Sequence, residues 1–210
     1  MQEAQAVSIE WWIYPLVLAV LLVVTWLLNI FVKRAADDDS PARRHGVATL
    51  FLGLDGRTST SKLQAFLWTY AVLWALISLL TGAGVEAFND ILNHDPREEY
   101  LLLLGGPYAA AIAAKAITTQ QVTKGLTTKP PKATRKGTAS ERVVEIVAND
   151  EGALDLGDFQ YFAFTLLALT YFAWALIRTP ADGLPPIPAT LLVLTGVSLG
   201  AYVGKKALPK

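Results

Sequence analysis

The chain has no cysteine, one methionine and two histidines in 210 residues. The missing thiols exclude disulfides, thiolate chemistry and cysteine-based zinc sites. No HExxH stretch, no GxxxxGK[ST] loop and no serine–histidine arrangement is present,. No paired carboxylates fall within an apolar segment. An enzyme is therefore not expected, and neither is a cofactor or a resident metal.

Charge is missing from five long stretches. These are Trp11–Val32, Leu63–Gly82, Tyr100–Ala114, Phe159–Ile177 and Ile187–Gly204, and none contains Asp, Glu, Lys, Arg or His. A bilayer crossing takes about 20 mostly apolar residues, and a core helix of a soluble protein would carry a polar face. The third stretch is short before Lys115, whose side chain can snorkel while the helix runs on to about Thr119,. The expected fold is an all-α membrane protein with five transmembrane helices. Proton-coupled transport normally uses an ionisable group inside the membrane, and none stands in these spans.

The start of the chain, MQEAQAVSIE, has no Lys or Arg, and the apolar run after it is too long for a signal peptide,. It reads as a retained helix, with Trp11, Trp12 and Tyr14 as an aromatic belt,. Basic residues set the orientation, because cytoplasmic loops retain them. Counted along the chain, the six segments outside the membrane carry 0, 6, 1, 7, 1 and 3 Lys or Arg. This places 16 on one side and two on the other. The expectation is a plasma (inner) membrane protein with its N-terminus outside and its C-terminus in the cytoplasm. His45 and His94 then lie on opposite sides and share no site.

An internal repeat is visible. SKLQAFLWTYAVL (Ser61–Leu73) resembles GDFQYFAFTLLAL (Gly157–Leu169), pairing Gln64 with Gln160, Phe66 with Phe162, Thr69 with Thr165 and Leu73 with Leu169. LLLLGGPYAAAIAAK (Leu101–Lys115) resembles LLVLTGVSLGAYVGK (Leu191–Lys205) at an offset of 90. The order is kept, so the expectation is a duplicated helical hairpin. The copies are parallel, related by an axis along the membrane normal, and the plan is 1 + 2 + 2. The expected parts are residues 1–35 (outer tail and first helix), 36–62 (cytoplasmic linker), 63–119 (first hairpin), 120–157 (basic cytoplasmic loop) and 158–210 (second hairpin and C-terminus).

The repeat directs attention to small residues. Gly196, Gly200 and Gly204 align with Gly106, Ala110 and Ala114. Each interior glycine costs about 1 kcal/mol relative to alanine, and small residues in lipid let helix backbones approach closely. Two readings stand: these stripes pack helices within one chain, or they form a homo-oligomer interface. On the face roughly 165° from the glycines lie Thr195, Ser198 and Tyr202,. They either line a hydrated lumen or bond to carbonyls one turn back. Gln64 and Gln160 form the matching polar pair, expected to face each other at the bundle centre or to meet water at the interface,.

Cationic candidates for a lipid headgroup or another anion are Arg57 and Lys62 before the second span, and Lys115, Lys205 and Lys206 at the cytoplasmic ends,. SERVVEIVANDEG in the long loop suggests a short amphipathic helix capped by Ser140,. GVATLFLGLDG (Gly46–Gly56) is too short to span and suits the interface. Asp37–Ser40 reads as a solvated acidic linker.

The pairing of GRTSTSKLQAFLWTYAVLWAL with the DLGDFQYFAF and TLLVLTGVS segments resembles bacterial multi-pass membrane proteins with no assigned activity. That resemblance covers about Leu54 to Leu208 and implies a bacterial origin and five helices, but no function. The leading expectation is a homo-oligomeric pore or ion channel. The alternative is a non-catalytic membrane scaffold that recruits a cytoplasmic protein or anionic lipid through its basic loop. Expected partners are membrane lipids and further copies of the chain, and nucleic acid is not expected.

Overall fold

The computed structural model describes residues 9–38, 40–52, 58–94, 98–123, 146–147, 154–180 and 183–207. Among these the backbone forms helices and no strand, apart from one isolated bridge between Leu52 and Thr58. The elements are α1 (Ile13–Ala35), α2 (Pro41–His45), a 3-10 helix (Gly46–Phe51), α3 (Thr60–His94), α4 (Glu98–Thr123), α5 (Leu156–Arg178) and α6 (Ala189–Ala207).

Each of the five apolar stretches falls largely within one helix, the form in which a segment satisfies its backbone polar groups internally. Three helical segments are long and apolar enough to cross a membrane: α1, Thr60–Glu86 of α3, and α5. Ala189–Ala201 of α6 is a shorter apolar helix. Local signals set the ends. Lys33 and Arg34 occupy the last turn of α1, where cations favour the helix dipole,. Ser40 caps α2 by accepting from the Ala42 N–H at 3.2 Å, with Pro41 in the first turn,. Asp155 does the same for α5, accepting from Asp158 N–H at 3.0 Å. In α6 the Leu191 N–H donates to the Pro188 carbonyl at 2.9 Å, so the proline-rich approach ends where the helix begins,. α3 outlasts its predicted end at Gly82 and has one non-helical residue, Gly84, at φ 81°. Only glycine adopts that conformation readily.

The chain divides into two compact units. The first comprises residues 1–49, 69–99 and 169–187. Its core is apolar: Ile13, Val17, Ala75, Leu79, Phe172 and Leu176 are buried, and Ser78 is the one buried polar residue among those described. Tyr14 joins three helices here. Its hydroxyl donates to the Leu176 carbonyl at 3.3 Å, its own carbonyl accepts from Trp74 Nε1 at 2.9 Å, and the two rings stack edge to face at 6.0 Å,. Towards the end of α1, Asn29 Oδ1 accepts from the Val47 N–H at 3.1 Å. Gly46, at φ 57°, lies so close that a Cβ would collide with Asn29 Oδ1. Much of α1 is otherwise exposed, with Val20, Trp26 and Phe31 each more than half exposed. A soluble monomer rarely shows so large an apolar face.

The second unit comprises residues 50–68, 100–168 and 188–210. Its core is mixed. Ala65, Trp68, Leu103, Ala110, Tyr161 and Ala168 are buried there, together with seven polar residues: Thr60, Ser61, Gln64, Asp158, Thr165, Thr195 and Ser198.

Candidate functional site

Buried polar side chains in a membrane helix are expensive unless they are bonded or functional. Most of those described lie in the second unit. Ser61, Gln64 and Trp68 recur at helical spacing on one face of α3, and Asp158, Tyr161 and Thr165 on one face of α5, all of them buried,. Gln64 links the two faces. Its Nε2 donates to the Tyr161 carbonyl at 3.1 Å and to Thr165 Oγ1. Thr165 in turn donates to the Tyr161 carbonyl at 2.8 Å. Ser61 Oγ and Gln64 Oε1 are fully buried and have no hydrogen-bond partner. An acceptor left so costs roughly 1–3 kcal/mol.

Gln160, the repeat partner of Gln64, is exposed on α5. The expected facing pair of glutamines therefore does not form, and Gln64 meets the next residue's carbonyl and the threonine one turn further on. Ser61, Tyr161 and Thr165 were not singled out as site residues from sequence. Two signals were present: Ser61 stands three residues before Gln64, and Thr165 is one of the repeat identities.

α6 has two unlike faces. Thr195 and Ser198 are buried, at 7% and 6% exposure. Thr25, Thr165 and Thr179 each bond to the carbonyl four residues back, at 2.8, 2.8 and 3.1 Å. Thr195 does not, and its Oγ1 is buried without a partner. Gly196, Gly200 and Gly204 are exposed, and a Cβ added at any of them would meet nothing within 4 Å. On α4 the related residues are differently placed. Ala110 is buried, and a Cβ on Gly106 would stand 3.3 Å from Leu199 Cδ2 of α6. Ala114 and Tyr202 lie within α4 and α6, with their side chains outside the described set.

Of the cationic candidates, Lys62 is the one whose side chain is described. Lys62 Nζ donates to the Leu52 carbonyl at 2.7 Å. Arg57 lies outside the described residues, and so do the side chains of Lys115, Lys205 and Lys206, although these lysines fall within α4 and α6. The basic loop and most of the expected amphipathic helix also lie outside them. In the acidic linker, Asp38 pairs with Arg43 at 3.2 Å on the surface, where such pairs contribute little,. Among the described residues no cluster of three or more His, Cys, Asp or Glu forms.

Long apolar helices and an exposed apolar α1 define the class, an all-helical membrane protein. No protein-family model, characterised protein or solved structure matches the chain, so no functional family is recognised for it.

Proposed function

We propose that the protein is a five-span membrane pore, assembled as a homo-oligomer, with a permeation path inside each protomer. The spans are α1 and two parallel hairpins, α3–α4 and α5–α6. The N-terminus lies outside and the basic ends face the cytoplasm of the inner membrane. The observation that carries this reading is the orientation of α6. Its hydroxyls, Thr195 and Ser198, face inward, and Thr195 Oγ1 is not bonded back to its own helix. Thr195 Oγ1, not bonded back to its helix, offers a hydrogen-bond site to a path that opens inside the protomer, whereas an axis between subunits would need these side chains on the outer surface. The outer face instead presents Gly196, Gly200 and Gly204, a surface that a second helix can approach closely,.

Flux through liposomes containing the pure protein tests the reading. Wild type should conduct, while Thr195→Val with Ser198→Ala should lose most of the flux and keep its oligomer size. Silence of wild type under voltage, tension and pH steps rejects the pore. Gly200→Leu should leave the protomer folded and reduce the oligomer to monomers.

A further inference from the structure

We infer that Ser61 and Gln64 hold a bound water molecule between the first turns of α3 and α5. The inference stands on these two side chains and does not depend on the pore. The orientation of the Gln64 amide is forced. Both groups near its nitrogen are acceptors: the Tyr161 carbonyl, and a Thr165 hydroxyl whose proton is already given to that carbonyl. The amide cannot flip without setting oxygen against oxygen, so Oε1 is held away from α5's acceptors with no donor of its own. Ser61 stands three residues earlier on the same face of α3, which brings the two Cβ atoms to about 5–6 Å. As the second residue of α3, it has no helical carbonyl one turn back to bond with. Its Oγ is likewise buried and unpartnered.

A water donating to Gln64 Oε1 and exchanging a hydrogen bond with Ser61 Oγ satisfies both atoms. Internal waters typically make about three such bonds. Neither oxygen carries a formal charge, but Asp158 in the first turn of α5 is also buried, which makes a cation the competing ligand that the test must separate.

The test is a double-mutant cycle on the purified full chain in detergent, read as the midpoint of thermal unfolding. Ser61→Ala should lower the midpoint in wild type and leave it unchanged in a Gln64→Met background. The two atoms share no direct bond, so this coupling is the mark expected of a water between them, and a Ser61→Ala loss that persists in the Gln64→Met background overturns the inference. A Ser61→Ala midpoint equal to or above wild type overturns the inference, because removing a bare hydroxyl relieves the core. That single variant decides the matter even where Gln64→Met fails to fold. Wild-type midpoints should also agree in sodium, potassium and choline chloride. A rise in one metal salt that vanishes in Gln64→Met identifies a cation and overturns the water.

Discussion

The segments α3–α4 and α5–α6 resemble each other in sequence but not in environment. Their residues align at offsets of 96 and 90, yet burial follows neither. On α3 and α5 the buried positions correspond one residue further on: Ser61 with Asp158, Gln64 with Tyr161, Trp68 with Thr165, Ala75 with Phe172 and Leu79 with Leu176. One residue is about 100° of helix, so one copy is turned a quarter circle against the other. On α4 and α6 the change is larger. Leu103, Pro107 and Ala110 are buried, while their counterparts Val193, Val197 and Gly200 are exposed. Similar stretches of sequence thus stand in two different surroundings. On α4 Gly106 and Ala110 pack inside the chain, while Gly196, Gly200 and Gly204 on α6 are left open.

Unequal pairs of substitutions probe this difference. The largest effect is expected at Gly106→Leu, which should cost about 1–3 kcal/mol by overpacking against Leu199,. Gly196→Leu, at the matching position, should leave the protomer's unfolding midpoint unchanged. Equal losses in the two would restore the symmetry. Next, Gln64→Leu should cost about 1–3 kcal/mol by stripping the Tyr161 and Thr165 contacts,. Gln160→Leu should stay within about 0.5 kcal/mol, as exposed changes do,. Thr165→Val should cost about 1 kcal/mol, and Thr69→Val, at a half-buried site, less,. One change has the opposite sign. Gly200→Ala should stabilise the monomer by up to about 1 kcal/mol, since its methyl meets nothing,. The same variant should weaken self-association, measured by light scattering in detergent.

Those contrasts also mark what could be read from sequence. The helices were legible because absent charge and apolar length are properties of each segment alone. Helix ends such as Lys33 and Arg34, and the Ser40–Pro41 start, follow from local chemistry in the same way. The two faces of α6 were legible as faces, from the spacing of Thr195 and Ser198 against Gly196 and Gly200. Which face turns inward was not, because the contact of Leu199 with Gly106 joins residues 93 apart in sequence. The repeat misled at Gln64 for the same reason. Identity fixes the side chain, while a quarter turn of the neighbouring helix decides what it meets.

The division of the core also gives each unit its own optical signal. Trp68 belongs to the mixed core and is 1% exposed, whereas Trp74, six residues later on α3, belongs to the apolar core and donates its indole N–H to the Tyr14 carbonyl. Replacing the other tryptophans with phenylalanine would leave one emitter per unit on a single helix. Fluorescence from Trp74 would report the seating of α1, and fluorescence from Trp68 the polar cluster around Gln64. A substitution in one core can then be followed by colour and intensity in the other.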